Sequence, residues 1–335
     1  TTDNMVKERG GVRDAESVPP DVGLVHYCKG DVLVSNIRPY LKKIWLADRE
    51  GGCSSDVIVF RLKRDDLSSD YLYSALSQDR FFEYSMLNVS GAKMPRGKRD
   101  WIKQFEFPLP PLAEQKKIVE KVEKALKRVD ALKAQFERME KSAADYFKAA
   151  LAETFAAVKG EKVKLGDVCE NCDSKRIPIT KSDRRAGAFP YYGASGVVDH
   201  VDQYIFDGDF LLVSEDGANL LARSTPIAFS VSGKVWVNNH AHVLRFESMD
   251  TQRYVEYFFA SIDIADCVTG AAQPKLTQNA LNAILLPYPS LDVQREVVKR
   301  LTEIKCTASR LEEAARRCIG ICGKMRKAIL AEAFQ

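Results

Sequence analysis

The feature that most restricts the fold is a long internal echo. The stretch FPLPPLAEQKKIVEKVEKAL opens at Phe107, and LPYPSLDVQREVVKRLTEI opens at Leu286. Pro108 pairs with Pro287, Pro110 with Pro289, Leu112 with Leu291, Gln115 with Gln294 and Val119 with Val298, all at one offset (287 − 108 = 179). The offset holds without a gap from Gly91/Gly270 to Phe155/Phe334, closing on KAALAETF and KAILAEAF. Upstream the match loosens. Gly30-Asp31 in KGDVLVS echoes Gly208-Asp209 in DGDFLLVS, and SSDVIVFRL (54–62) echoes NNHAHVLRF (238–246). A period this long exceeds any solenoid repeat. The chain therefore reads as two copies of one domain-plus-helix unit.

Each copy keeps the same order. Short alternating runs such as DVLVS, DVIVF, QYIF, FLLV and KVWVNN, bounded by Gly, Asp, Asn and Ser, read as strands. One short helix follows, DYLYSALSQDRFF or QRYVEYFFASI, then a basic or polar loop, the proline hinge and a long helix. The expected class is α+β: two mixed, strand-rich domains (1–107 and 159–286) and two long helices (108–158 and 287–335). The second copy opens with EKVKLGDVCENCDSKRIPI, which has no counterpart in the first, where Thr1 aligns with Thr180. The first copy thus reads as starting late, either truncated or continuing from an upstream region.

The first long helix is expected from Leu112 to Val158. Pro110 and Pro111 suit its entry, and Glu114 favours its first turn. Its apolar stripe is Val119, Val122, Leu126, Val129, Leu132, Phe136, Met139, Ala143, Tyr146 and Ala150, with one phase slip. The second helix follows Ser290, a good N-cap residue. Its stripe of Val297, Leu301, Ile304, Ala308, Leu311, Ala315, Cys318, Cys322, Met325 and Ile329 alternates steps of four and three, the heptad rule. Each helix would be roughly 65 Å long at 1.5 Å per residue. A helix polar on most faces cannot bury such a stripe alone, so each is expected to pair with the other. Only AAVKGEKV separates the first helix from the second domain. The second helix must then run back, giving an antiparallel coiled coil with a pseudo-two-fold axis.

Catalytic signatures are absent from the sequence. It has no Gly-rich dinucleotide fingerprint, no Walker A loop, no G-x-S-x-G elbow and no HExxH. The Asn/Asp-Pro-Pro-aromatic and Gly-rich cofactor loops of an adenine methyltransferase are also lacking. No apolar run of about 18 residues predicts a membrane span, and no signal peptide opens the chain. The eight cysteines include one CxxC, Cys169-Glu170-Asn171-Cys172, without a second pair at zinc-ribbon spacing. They read as reduced cytosolic thiols. His240 and His242 alternate on NNHAHVLRF and are expected to share one face, with no acidic or Cys partner placed to make a metal site.

The net charge of +4 permits a polyanionic partner without demanding one. The basic signal is local. GAKMPRGKRDWIK (91–103) gathers Lys93, Arg96, Lys98, Arg99 and Lys103 beside Trp101, with Lys7, Arg38, Lys42 and Lys43 elsewhere in that copy. The loop falls where the second copy reads GAAQPKLTQNA, a shared start with different chemistry. The second copy offers Lys175, Arg176, Lys181, Arg184, Arg185, Tyr191, Tyr192, Arg223, Lys234 and Lys275 instead. Arg and Lys suit phosphates and guanine, and Asn238, Asn239 and His240 suit base edges. A solvated charged face is the plain alternative.

Together PLPPLAEQKKIV, PYPSLDVQREVV, GDVLVS and YYGASG…GKVWVNNHAHVL resemble the specificity subunit of type I restriction–modification enzymes, over nearly the whole chain. That resemblance implies a non-catalytic prokaryotic cytoplasmic chain. Each domain reads half of a split double-stranded DNA target, with half-sites near one helical turn apart, about 34 Å. The paired helices act as a ruler and dock two modification subunits, which carry S-adenosylmethionine and methylate adenine. Restriction subunits bring ATP and Mg for translocation and cleavage. A similar specificity region inside a larger single-chain enzyme, and a coiled-coil scaffold that binds no DNA, are the other readings.

Overall fold

The computed structural model describes residues 1–17, 23–270 and 273–334, so two residues of the 270–280 loop lie outside the described residues. By packing, the chain divides into two units. One holds residues 1–138 and the chain from Ala315 onward; the other holds Met139–Ala314.

In the first unit a three-stranded antiparallel sheet runs Ile44–Leu46, Val32–Ser35, Val57–Phe60. Its alternation divides two cores, as the two-residue strand period requires. Val32, Val34 and Ile58 meet Leu72, Leu76, Phe81 and Phe82 on one face. Leu33, Trp45 and Val57 meet Met5 and Cys53 on the other. The expected single helix over DYLYSALSQDRFF is two, Ser69–Leu76 and Asp79–Met86. Arg9 holds the break, donating from Nε to the Ser77 carbonyl and from Nη2 to Asp79. Lys42 and Lys327 also reach Asp79, at 2.9 and 3.1 Å. Burial alone raises the Asp79 carboxyl pKa, but these three cations hold it well below the usual range.

The second unit carries a six-stranded mixed sheet, ordered Gly196–Val201, Ala186–Gly193, Ala228–Val237, Phe206–Ser214, Ala241–Arg245, Glu170–Asn171. Here the corresponding helix, Met249–Ser261, is unbroken. Leu211 and Val213 face it while Leu212 faces the opposite core. The opening segment contributes Glu161–Lys164, paired with Leu285–Tyr288 beside the hinge. Register confirms the internal echo. Ser35 pairs with Val57 as Ser214 pairs with Ala241, and Val34 with Ile58 as Val213 with His242. In this register Asp31 corresponds to Phe210, so the Gly-Asp echo is one residue out of structural step.

The long helices span Leu112–Ala157 and Leu291–Ala333. In the first unit, Val119 of the first helix packs with Phe334, and Asp130 pairs with Arg326 at 2.7 Å. In the second unit, Phe147, Leu151 and Phe155 share a core with Val297 and Leu301. The start of each helix thus lies beside the end of the other, and the two run antiparallel. The seam is narrower than the stripe. Val122, Val129, Ala143, Ala150, Ala308, Ala315 and Cys322 are buried, and Leu126, Phe136, Met139, Ile304 and Ile329 half-buried. Leu132, Leu311, Met325 and Tyr146, expected in the seam, face solvent. A helix with 3.6 residues per turn drifts about 20° per heptad away from a strict seven-residue stripe. Leu151, Leu330 and Phe334, off the expected stripe, are buried.

Candidate nucleic-acid interface

The repeated hinge is a lock made twice. Gln115 is fully buried; its Nε2 donates to the carbonyls of Asp66 and Pro110, and its Oε1 accepts from Ser68 N–H. Gln294 donates to the Pro289 carbonyl and accepts from the Thr251 hydroxyl. Tyr71 donates to the Pro108 carbonyl at 2.9 Å, and Tyr254 to the Pro287 carbonyl at 2.8 Å. Each tyrosine also receives the last aromatic of the other copy's helix: Phe334 lies 5.1 Å from Tyr71, and Phe155 5.3 Å from Tyr254. These contacts hold each helix end against a strand-rich domain and leave the turns beyond the sheets free to differ.

They differ most where one backbone frame carries two chemistries. In the first unit Asn36 N–H donates to the Asp56 carbonyl, Arg38 N–H to Pro95, and Gly97 N–H to Asn36. In the second, Glu215 N–H donates to the His240 carbonyl, Gly217 N–H to Pro274, and Leu276 N–H to Glu215. Asn36 therefore stands where Glu215 stands, and Arg38 where Gly217 stands.

In the second unit that frame is filled by ions. His242 is buried, with Nδ1 2.6 Å from Asp173 Oδ2 and Nε2 2.9 Å from the Leu276 carbonyl. Arg176 donates to Glu215 and to the Ala241 carbonyl, and Lys275 lies 3.1 Å from Glu215. Burial raises the Asp173 and Glu215 carboxyls, but hydrogen bonds outweigh it, chiefly from His242 for Asp173 and from Arg176 for Glu215. Both stay below their ordinary values. Asp173, Glu215 and His242 bring ligand-type atoms within 4.8 Å of one another, so acidic partners do surround this histidine. Arg176 and Lys275 balance those carboxylates, and both ring nitrogens already face oxygens. The cluster is built as an ion-pair network.

In the first unit the same frame is open. Ile58 replaces His242, and a 560 Å³ cleft lies beside the turn. Asn36, Asn88, Ser90, Arg96, Lys98 and Arg99 are among its lining residues. The expected basic loop is in fact a small hairpin, Val89–Ser90 with Arg96–Gly97, followed by a helical turn, Arg99–Ile102. Trp101 is part of the frame: it stacks 4.9 Å from Tyr84 and donates to the Tyr84 carbonyl.

Of the basic candidates, Lys7, Lys93, Lys98, Arg99, Lys103, Lys181, Arg185 and Lys234 are exposed, as is Asn239. Arg96 is exposed but pairs with Asp56 at 3.0 Å, and Lys175 with Glu170 at 2.8 Å. Others hold the fold rather than offer a surface. Lys42 is tied to Asp79, Lys43 to the Thr2 carbonyl, and Arg176 to the ion cluster. Arg223, with a left-handed backbone, caps the Phe259 and Ile262 carbonyls at the end of the Met249–Ser261 helix. Tyr191 is buried under Arg184, whose guanidinium lies 4.3 Å from the ring centre. Tyr192 is half-buried against Phe229. Asn238 is buried and accepts from His240 N–H. His240 and His242 do not share a face. The strand begins at Ala241, so His240 sits in the preceding turn with Asp216 while His242 points inward. In the CxxC pair, burial raises both thiols, Cys169 up to about 12, which suits inert cysteines. Asn36, Asn88 and Glu215 were not singled out from the sequence. Superposing the copies at the 179 offset marks the pair Asn36/Glu215, because identity fails there within VLVS/LLVS surroundings.

Residues 23–141 and 158–317 match the family described as the type I restriction modification DNA specificity domain. A putative type I restriction enzyme specificity subunit of Haemophilus influenzae, S.HindORF215P, is 34% identical over 145 residues, covering 43% of this chain and 37% of that protein. The EcoKI specificity subunit of Escherichia coli K12 is 26% identical over 273 residues, 69% of this chain and 57% of that protein. The chain thus spans about a third to just over half the length of these curated relatives. A chain from a solved type I R-M system, described for its complex assembly and conformational transition, aligns at TM-score 0.84 and 20% identity, covering 99% of this chain and 89% of that one. The HsdS subunit of Thermoanaerobacter tengcongensis aligns at 0.62 and 21%, covering 99% and 88%. At these identities the likeness speaks to the fold.

Proposed function

Because this chain belongs to the family of type I restriction modification DNA specificity domains, we propose that it reads a bipartite sequence in double-stranded DNA. Each unit recognises one half, and the paired helices set the gap. It carries no chemistry of its own. It works in a prokaryotic cytoplasm with two modification subunits, which bring S-adenosylmethionine, and with restriction subunits that use ATP and Mg. Among the described residues no helix is long and apolar enough to cross a membrane.

The observation that supports this most is the pair of equivalent turns. One frame, fixed by the same backbone hydrogen bonds, carries Asn36, Ile37 and Arg38 in one copy and Glu215, Asp216 and Gly217 in the other. A structural duplication has no need of such divergence, whereas two readers of different half-sites do. Exchanging residues 161–290 for those of another family member tests it. One half of the methylated target should change and the other stay. A change in both halves, or in neither, counts against modular reading. A scaffold that binds no DNA would show no salt-sensitive shift with random duplexes.

A further inference from the structure

We propose that the turn Asn36–Arg38, with the cleft beside it, is the base-reading site of the first unit, and that Asn36 takes the edge of an adenine. This rests on the DNA-reading function above and names a contact within it. Three observations converge on one turn. Asn36 is 4% exposed and lines the cleft, yet its Oδ1 has no hydrogen-bond partner among the described residues. Two residues on, the buried Arg38 Nε also lacks one. Arg38 holds a left-handed φ of 49°, where the other copy places Gly217 at +106°.

The fold itself does not require these features. The equivalent turn of the second unit closes with every feature satisfied: a paired carboxylate at Glu215 and a glycine at the left-handed position. Unpaired buried groups and left-handed non-glycine residues are unfavourable, and they persist where a ligand uses them. The surroundings indicate which ligand. Arg96, Lys98 and Arg99 stand at the cleft with one lining acid, Asp100; Arg96 is paired to Asp56, which leaves Lys98 and Arg99 as the basic rim that suits a phosphate backbone. A carboxamide offers an acceptor beside a donor. Adenine, with its N6 amino group beside N7, is the complement, while guanine presents two acceptors on the same edge.

The test is selection of the full chain on a random duplex pool, followed by sequencing of the bound DNA. The parent protein should enrich a bipartite motif. Asn36→Ala should enrich the same motif with one adenine position made indifferent, a loss of discrimination of about 5- to 100-fold, and the other half untouched. Its thermal midpoint should be equal or higher, because the amide has no internal partner to lose. Arg38→Gly should raise the midpoint by relieving the left-handed backbone and weaken the same half-site. An unchanged motif in Asn36→Ala overturns the assignment. So does a collapse of the folding transition in that variant, with Arg38→Gly stable and unaltered in binding. A parent protein that enriches no motif overturns DNA reading itself and the assignment with it.

Discussion

The turn at Asn36 and the turn at Glu215 share a backbone and differ in what fills it. The second unit packs Asp173, Arg176, Glu215, His242 and Lys275 into a network of ion pairs and hydrogen bonds. The first leaves a polar cleft with an unpaired amide. Two of the five network residues, Asp173 and Arg176, come from the opening segment that the first copy does not show. A fold can therefore be duplicated at the level of main-chain hydrogen bonds while its side chains serve opposite ends, rigidity in one copy and an open polar surface in the other.

The comparison breaks most visibly at Arg176. Removing it leaves Glu215 buried without its guanidinium, and Arg176→Ala should destabilise the second unit by about 3–5 kcal/mol in denaturant unfolding. A cost near zero would mean that the network is solvated and the contrast false. Acid should act in the same direction. Asp173 and Glu215 lie below their ordinary values of 3.8 and 4.5 when folded. Their stabilisation is fully present above those values and is lost as pH falls through the lowered ones. The parent protein should therefore lose stability below about pH 4, and Arg176→Ala should flatten that limb in a pH series of melts.

Next in size is the docking of the helix ends. Phe334 is 4% exposed and Phe155 half-buried. Phe334→Ala should cost about 3 kcal/mol and Phe155→Ala less. Equal losses would show that the two ends are energetically alike. The hinge locks come third. Gln115 makes three hydrogen bonds and Gln294 two. Gln115→Ala should cost about 1–3 kcal/mol and speed amide exchange at Ser68, with Gln294→Ala the milder. The smallest effect is at the rim of the cleft. Lys98→Ala should lower the slope of log K against log salt by about one. An unchanged slope would return that lysine to a solvated face.

Much of this was legible in the sequence, because repetition turns one alignment into two observations. The proline hinges, the long helices and their antiparallel course follow from an echo at an offset of 179, gapless from Gly91 to Phe155, and a short connector. The break between Leu76 and Asp79 was not legible, since it depends on Arg9 arriving from about seventy residues away. Arg176, Arg223 and Tyr191 read as surface candidates by residue type. Burial and long-range partners make them structural. His242 looked like half of a pair sharing one strand face with His240. The strand starts at Ala241, three residues later than expected, which leaves His240 in a turn while His242 points inward, onto an aspartate sixty-nine positions away.

The sequence alone determined the architecture: two copies, each a strand-rich domain joined to a long helix at a proline hinge that carries the paired Gln115 and Gln294. Those features are local or repeated, so periodicity and alignment expose them. Only the tertiary structure decided which polar residues are available. Availability depends on what distant segments bring to the same point. Arg176 reaches Glu215 across thirty-nine positions, while among the described residues nothing reaches the Asn36 side-chain Oδ1.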